Sequence, residues 1–358
     1  MNNDSHGADI YGASKIFGID EDDIIDFSSN INPFGIPDNV QEAIIRSIKY
    51  SIRYPDINSR ELIKGLSNCE KIPESWFFCS NGAAEAIFRI ALCMIPQNAI
   101  LISPTFSEYE QALTTVGTDV KYFTLEEENG FKLTDKIIDD IKIDTDIVFI
   151  CNPNNPTGQI IDKILLEKII SHCKLMNTTI VIDECFMDFV ENKEKYSTID
   201  LMEKYDNLIV LKAFTKIYAI PGIRLGYCMS SNINVIANLK KSGPPWNVST
   251  IAQAAGVASL EEREYVTKSV KYVKKQRQYL IDEMNRLNIK IYEAHANYIF
   301  FKLIRKINLY DELLKKGILI RSCSNYRNLD DSYYRIAVKS EYENKILIEN
   351  LKEIIGNK

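Results

Sequence analysis

Lys216 is the residue that packing explains least. It stands in LKAFTKIYAIPGIRLGY (211–227), after an apolar run with the look of a buried strand. Thr215 precedes it, and Pro221–Gly222 and Arg224 follow. Lysine seldom goes inside without a partner. A partly desolvated amine loses basicity and becomes a nucleophile towards an aldehyde. Three other stretches carry groups that could serve it. SNGAAEAIF (80–88) runs a glycine, Ala83 and Ala84 straight into a helix pattern, and the free N–H groups of such an end attract a phosphate. CNPNNPTGQ (151–159) is a loop fixed by prolines and a glycine, presenting Asn152, Asn154 and Asn155. VIDECF (181–186) ends a strand with adjacent acids. Asp183, preceded by apolar residues, needs a cationic partner there. Each stretch alone has a plainer reading: a snorkelling lysine, a tight connection, a surface turn, a helix cap.

Together they describe one chemistry. A buried carboxylate can hold a heteroaromatic nitrogen protonated. A helix N-terminus, the Thr215 hydroxyl and Arg224 can hold a phosphate. Asn155 can hydrogen-bond a phenolic oxygen, and an aromatic from PTFSEYE (104–110) can stack on the ring. These are the demands of pyridoxal 5′-phosphate, an electron sink for amino-acid chemistry. Lys216 is then the lysine that forms a Schiff base with its aldehyde.

Loops that meet like this need strands that end on one rim. WFFCS (76–80), AILIS (99–103), DVKYFTL (119–125), DIVFIC (146–151), TTIVIDE (178–184), NLIVLKAF (207–214) and LGYCMS (225–230) read as short buried strands. Helix-like stretches fall between them, AAEAIFRIALCMI, SEYEQALTTVG, KLTDKIIDDIK and DKILLEKIISHCKLM among them. That alternation predicts an α/β fold, a mainly parallel sheet covered on both faces. Ligands bind beyond the carboxyl ends of such strands. After residue 262 the pattern changes to one long charged amphipathic helix, then strands in IYEAHANYIFFKL, ILIRSC and YYRIAVKS, with helices at about 308–316 and 341–356. We expect an N-terminal segment, 1–35, packed on a smaller α+β domain, 263–358, and a large domain, 36–262.

With 358 residues, 46% of them apolar, the chain can bury a sizeable core. A net charge of −6 and the lack of a basic run argue against a nucleic-acid partner. Eight cysteines, none in a CxxC pair, and only three histidines, His6, His172 and His295, make a metal site unexpected. The cysteines read as reduced core residues, which fits a cytoplasmic protein. MNNDSHGADIYG does not read as a signal peptide, and no apolar stretch approaches membrane-spanning length.

The sequence resembles the fold-type-I pyridoxal-phosphate enzymes of the aminotransferase superfamily. NPNNPTG, the strand-end aspartate, and an SxTK-like lysine segment followed by arginine stand in that family's order and spacing. Within it, two groups are close: the threonine-phosphate decarboxylases of cobalamin synthesis and the histidinol-phosphate aminotransferases. SHGADIYGASKIFGI with DFSSNINPFG, FTKIYAIPGIRLGY, PPWNVST, ILIRSCSNY and YYRIAV look like the former, while RYPD (53–56) occurs in both. The resemblance implies a homodimer with shared active sites, Tyr54 reaching the coenzyme phosphate of the neighbouring subunit. It implies that Asp183 meets the pyridine nitrogen, Asn155 the ring 3′-oxygen and the substrate, and Phe106 the ring face. Ala83, Ala84, Thr215 and Arg224 would bind the coenzyme phosphate. Arg335 would take the substrate carboxylate, with His6, Arg321 and Asn32 around the substrate, His6 and Arg321 towards its phosphate.

Three positions depart from the family pattern. GAAE lacks a hydroxyl found in many relatives, Ala213 stands where Ser or Thr often precedes the lysine by three, and Phe186 replaces a tyrosine common in aminotransferases. The first two leave more of the phosphate to backbone, and the third is closer to the decarboxylases. The expected reaction is decarboxylation of L-threonine O-3-phosphate to (R)-1-amino-2-propanol O-2-phosphate. Serine-phosphate decarboxylation and histidinol-phosphate transamination are the alternatives.

Overall fold

A computed structural model describes residues 7–305 and 307–356. The chain enters through a two-residue strand, β1 (Ile25–Asp26). It then lays down β2 (Phe77–Ser80), β3 (Asn98–Ser103), β4 (Asp119–Thr124), β5 (Ile147–Cys151), β6 (Thr179–Asp183), β7 (Leu208–Ala213) and β8 (Gly226–Met229). β2 to β8 form one sheet in the order β2-β8-β7-β6-β5-β3-β4. The pairs β3/β4, β3/β5, β5/β6 and β6/β7 are parallel. Both faces are packed: Ile147, Phe149 and Cys151 of β5 join one apolar core, Val148 and Ile150 the other. Successive side chains point to opposite faces, so a strand buried on both reads as an unbroken apolar run. Each such side chain is worth roughly 1.5–3 kcal/mol of burial.

β8 departs from the parallel pattern, running antiparallel to both β2 and β7. Only the four-residue helix Phe214–Ile217 and a turn at Pro221–Ile223 join β7 to β8, too little structure for a crossover. The chain therefore returns beside its own strand, which leaves the start of β8 on the rim where the parallel strands end. KLTDKIIDDIK, expected as a helix, is a 3-10 turn at Asp135–Asp139.

The second sheet is antiparallel. After β9 (Lys290–Ile291), β10 (Tyr298–Lys302) and β11 (Ile318–Leu319) come β12 (Arg321–Ser322) and β13 (Tyr333–Ala337), and the order is β12-β13-β10-β9. Helices Arg263–Arg286 and Glu341–Gly356 share an apolar cluster with it through Val273, Leu280, Leu347 and Leu351. β1 pairs in parallel with β11, Ile25 opposite Ile318, and the Ala337 N–H donates to the Phe27 carbonyl at 2.8 Å. These ties hold the Ser28–Asn30 turn against the second sheet, facing the rim of the first.

Candidate active site

A cavity of about 280 Å³ lies between that rim and the second sheet. Lys216 lines it from the short helix after β7, half-buried, with Nζ 5.9 Å from the centroid of the Phe186 ring. Burial, reinforced by the positive charges of Arg335 and Arg224, lowers its pKa from 10.5 to about 8. The Lys216 carbonyl is held by the Asn32 N–H at 3.1 Å.

Ala83, Ala84, Thr215 and Arg224 line one end of the cavity. The first two open the helix Gly82–Met94, whose first-turn N–H groups have no partner within the helix. Two glycines let this corner close. Gly82 has φ +76°, and a Cβ there would stand 2.6 Å from Arg224 Nη2. At Gly226 a Cβ would stand 2.5 Å from the Ala83 nitrogen. A helix end and a guanidinium can share one corner only with both side chains missing, and the result is a cradle for a phosphate.

Across the cavity, Asp183 is buried at the end of β6. Its Oδ1 accepts from the Cys185 N–H at 2.9 Å and its Oδ2 from the Tyr109 hydroxyl at 2.6 Å. Phe106 also lines the cavity, its ring edge-to-face with Tyr109 at 5.7 Å. Of the three loop asparagines, two are committed to the fold. Asn152 Oδ1 accepts from the Ile161 N–H, and Asn154 bridges to Thr105 and to the Pro104 carbonyl. Asn155 faces the cavity. Its Oδ1 accepts from Arg335 Nη1, so the NH₂ is the side of the amide left to donate to a ligand.

Arg321 and Arg335 come from neighbouring strands in direct register, β12 against β13. Opposed residues of an antiparallel pair project to one face, and both guanidinium groups are buried and line the cavity. Arg335 Nη2 donates to the Ser28 carbonyl at 2.6 Å, and its buried Nε has no partner among the described residues. Arg321 donates to Asn325 Oδ1 at 2.7 Å and lies over the Tyr326 ring.

Asn32 departs from expectation. Its Nδ2 donates to the Ile217 carbonyl and to Ser269 Oγ, each at 2.7 Å, and its Oδ1 accepts from the Phe34 N–H. It braces the lysine segment and does not line the cavity. Asn30, two residues earlier, does line it, and its buried Oδ1 has no partner among the described residues. His6 lies outside the described residues. Tyr54 is 79% exposed, its ring tilted against that of Trp246 with centroids 4.6 Å apart, and is not brought to the cavity of its own chain. Sequence reasoning missed Asn30 and Tyr109. No sequence signal separated Asn30 from Asn32 in SNIN; for the second, the signal was a tyrosine three residues beyond the ring-stacking Phe106.

These residues fit pyridoxal phosphate. An amine of low basicity, a fixed carboxylate, an aromatic face, an amide NH₂ and a phosphate cradle surround one space of suitable chemistry. The sequence profile of the family described as aminotransferase class I and II matches residues 22–351. The chain belongs to that family. It is 35% identical to the threonine-phosphate decarboxylase of Salmonella typhimurium over 355 residues, 99% of this chain and 97% of that one. It is also 30% identical to the histidinol-phosphate aminotransferase of Methanococcus aeolicus, over 96% of this chain and 93% of that one. The solved histidinol-phosphate aminotransferase of Clostridium acetobutylicum superposes with a TM-score of 0.87 at 33% identity, covering 93% of this chain and 99% of its own. Enzymes of this aminotransferase family depend on pyridoxal 5′-phosphate, and that is the coenzyme of this fold-type-I enzyme.

Proposed function

We propose that this enzyme decarboxylates L-threonine O-3-phosphate to (R)-1-amino-2-propanol O-2-phosphate, for the nucleotide loop of cobalamin. The observation that carries the reading is the register of Arg321 and Arg335. Two guanidinium groups set on one face of a strand pair and lining one cavity suit a substrate with two anionic groups, and threonine phosphate has a carboxylate and a phosphate. Arg335, set by Ser28 and Asn155, takes the carboxylate, and Arg321, with His6, takes the phosphate. The threonine-phosphate decarboxylase relative, matched over nearly its full length, supports the same choice.

The bound coenzyme supplies an electron sink for the pair left when a bond to Cα breaks. Asp183 would keep the ring nitrogen protonated, Asn155 would hold the 3′-oxygen, Phe106 would cover the ring face, and the Gly82 corner with Thr215 and Arg224 would hold the phosphate. The carboxylate gripped by Arg335 leaves as CO₂, and Cα takes a proton in its place. Lys216 Nζ is the donor: with a pKa of about 8 it carries a proton at neutral pH and gives it up readily.

Two further parts belong to this proposal. The enzyme is a cytoplasmic homodimer, and Tyr54 completes the phosphate site of the neighbouring subunit. Ile45, Ile48, Ile52 and Tyr54 form an exposed apolar stretch suited to that contact. Among the described residues, no helix is long and apolar enough to cross a membrane. The three-part division at 35/36 and 262/263 is supported by the separate seven- and four-stranded sheets and by the small sheet in which β1 of the N-terminal segment pairs with β11.

Histidinol-phosphate transamination is the second reading, favoured by the superposition on the Clostridium enzyme. Serine phosphate is a rival substrate, since a lost methyl contact is worth only about 1–3 kcal/mol. Purified enzyme is given threonine phosphate, serine phosphate and histidinol phosphate, each with and without 2-oxoglutarate. CO₂ from threonine phosphate without 2-oxoglutarate is expected. Stoichiometric glutamate from histidinol phosphate, with no CO₂ from either amino acid, would overturn the proposal.

A further inference from the structure

Asp183 is a buried carboxylate on a single-bonded stem, and something must stop it turning. The Cys185 N–H reaches Oδ1 from the turn that follows, a local contact that moves with the turn itself. The other donor comes from far along the chain: the Tyr109 hydroxyl, 2.6 Å from Oδ2. We propose that Tyr109 is the positioning residue for the ring of the coenzyme, fixing Asp183 against the nitrogen edge and Phe106 against the face.

Tyr109 is built to be immobile. Its side chain is fully buried in the helix Glu108–Thr115, and its ring is stacked on Phe149 of β5 at 5.2 Å with 20° between planes. The same ring meets Phe106 edge-on, at 82°. A hydroxyl carries one proton, and here Asp183 receives it. Burial and the negative charge of Asp183 push the phenol well above its ordinary value, so it remains a donor at every working pH. A carboxylate oxygen has two acceptor sites. With one taken from behind by Tyr109, Oδ2 keeps the other for a donor in the cavity.

The inference rests on the proposed pairing of Asp183 with the ring nitrogen, and the test separates the two. Coenzyme dissociation constants are measured by equilibrium dialysis for apo-protein of the wild type, Tyr109→Phe, Asp183→Asn and the double variant. Thermal melting of each apo-protein and the pH profile of coenzyme absorbance in each holo-protein accompany them. Tyr109→Phe keeps the ring packing and removes only the hydroxyl. It should leave apo melting near wild type, weaken coenzyme binding by about 10- to 100-fold, as for a hydrogen bond to a charged group, and displace the absorbance profile. In the Asp183→Asn background the same substitution should change affinity by less than about 3-fold, because the charged acceptor is gone. Wild-type affinity and profile in Tyr109→Phe would overturn the proposal. So would an equal loss in both backgrounds, which marks a packing role independent of Asp183. Wild-type affinity in Asp183→Asn alone would refute the pairing of Asp183 itself, and the proposal with it.

Discussion

If Lys216 is the group that captures the coenzyme, its capture rate must follow its own titration. An ordinary lysine, at 10.5, has about one neutral amine in 3,000 at pH 7; at about 8 the fraction is about one in ten, a gain of roughly 300-fold. Burial is the largest cause of the shift and the charge of Arg335 the next. Arg335→Gln should therefore raise the midpoint by less than half of the whole displacement, by about one pH unit or less. Apo-protein is mixed with pyridoxal phosphate by stopped flow across the alkaline range, and the absorbance of the bound coenzyme is followed. The wild-type rate should climb with pH and level off above about 8; the variant should level off later. The same group gives a stability effect of fixed sign. Between about 8 and 10.5 the folded apo-protein holds fewer protons than the unfolded chain, so its stability rises with pH across that window. A wild-type rate still climbing steeply beyond about pH 9.5, or a midpoint lowered by Arg335→Gln, would refute the reasoning.

Three other outcomes follow from particular contacts. Glu127 accepts from Lys290, Tyr292, Lys302 and Tyr333 at 2.6–2.9 Å, tying the turn after β4 to the second sheet. Burial alone would raise its pKa, but the four donors hold it far below the usual 4.5. Its stabilisation is present above that value and lost as pH falls below it, so Glu127→Gln should cost about 1–3 kcal/mol at neutral pH and less in acid, by thermal melting. Gly82→Ala forces a methyl against Arg224 at a left-handed φ. It should keep the fold and weaken coenzyme binding by about tenfold or more, measured by dialysis. Lys212 is 3% exposed, salt-bridged to Glu70 at 3.1 Å and Asp188 at 3.2 Å. Lys212→Met leaves those carboxylates without their shared cation and should cost about 3–5 kcal/mol in urea unfolding of the apo-protein.

The sequence made the main sheet legible because strands covered on both faces must be apolar throughout, and loops at their carboxyl ends carry the polar exceptions. Lys216, Asp183, Asn155 and Arg224 stood out as those exceptions, and the cavity gathers all four. The direction of β8 was hidden, since an apolar run looks the same read either way. Asn30 and Asn32 lie in an irregular segment with no period to say which faces the cavity, and the hydrogen bonds of Asn32 to Ile217 and Ser269 come from the far end of the chain. Tyr109 stood only among the aromatics of PTFSEYE, with nothing in the sequence to tie it to Asp183, a distant residue. Lys212 sits inside a strand read as apolar; its partners, Glu70 and Asp188, lie in a helix end and a turn that sequence alone does not bring to it.

The bond that breaks at Cα is the most direct test of the account. L-Threonine O-3-phosphate carrying deuterium at Cα is turned over in ordinary water, and the aminopropanol phosphate is examined by NMR. Loss of the carboxylate should leave the deuterium in place and add one solvent-derived proton beside it. A product that has lost the deuterium, or a keto acid formed in step with glutamate, would contradict the account.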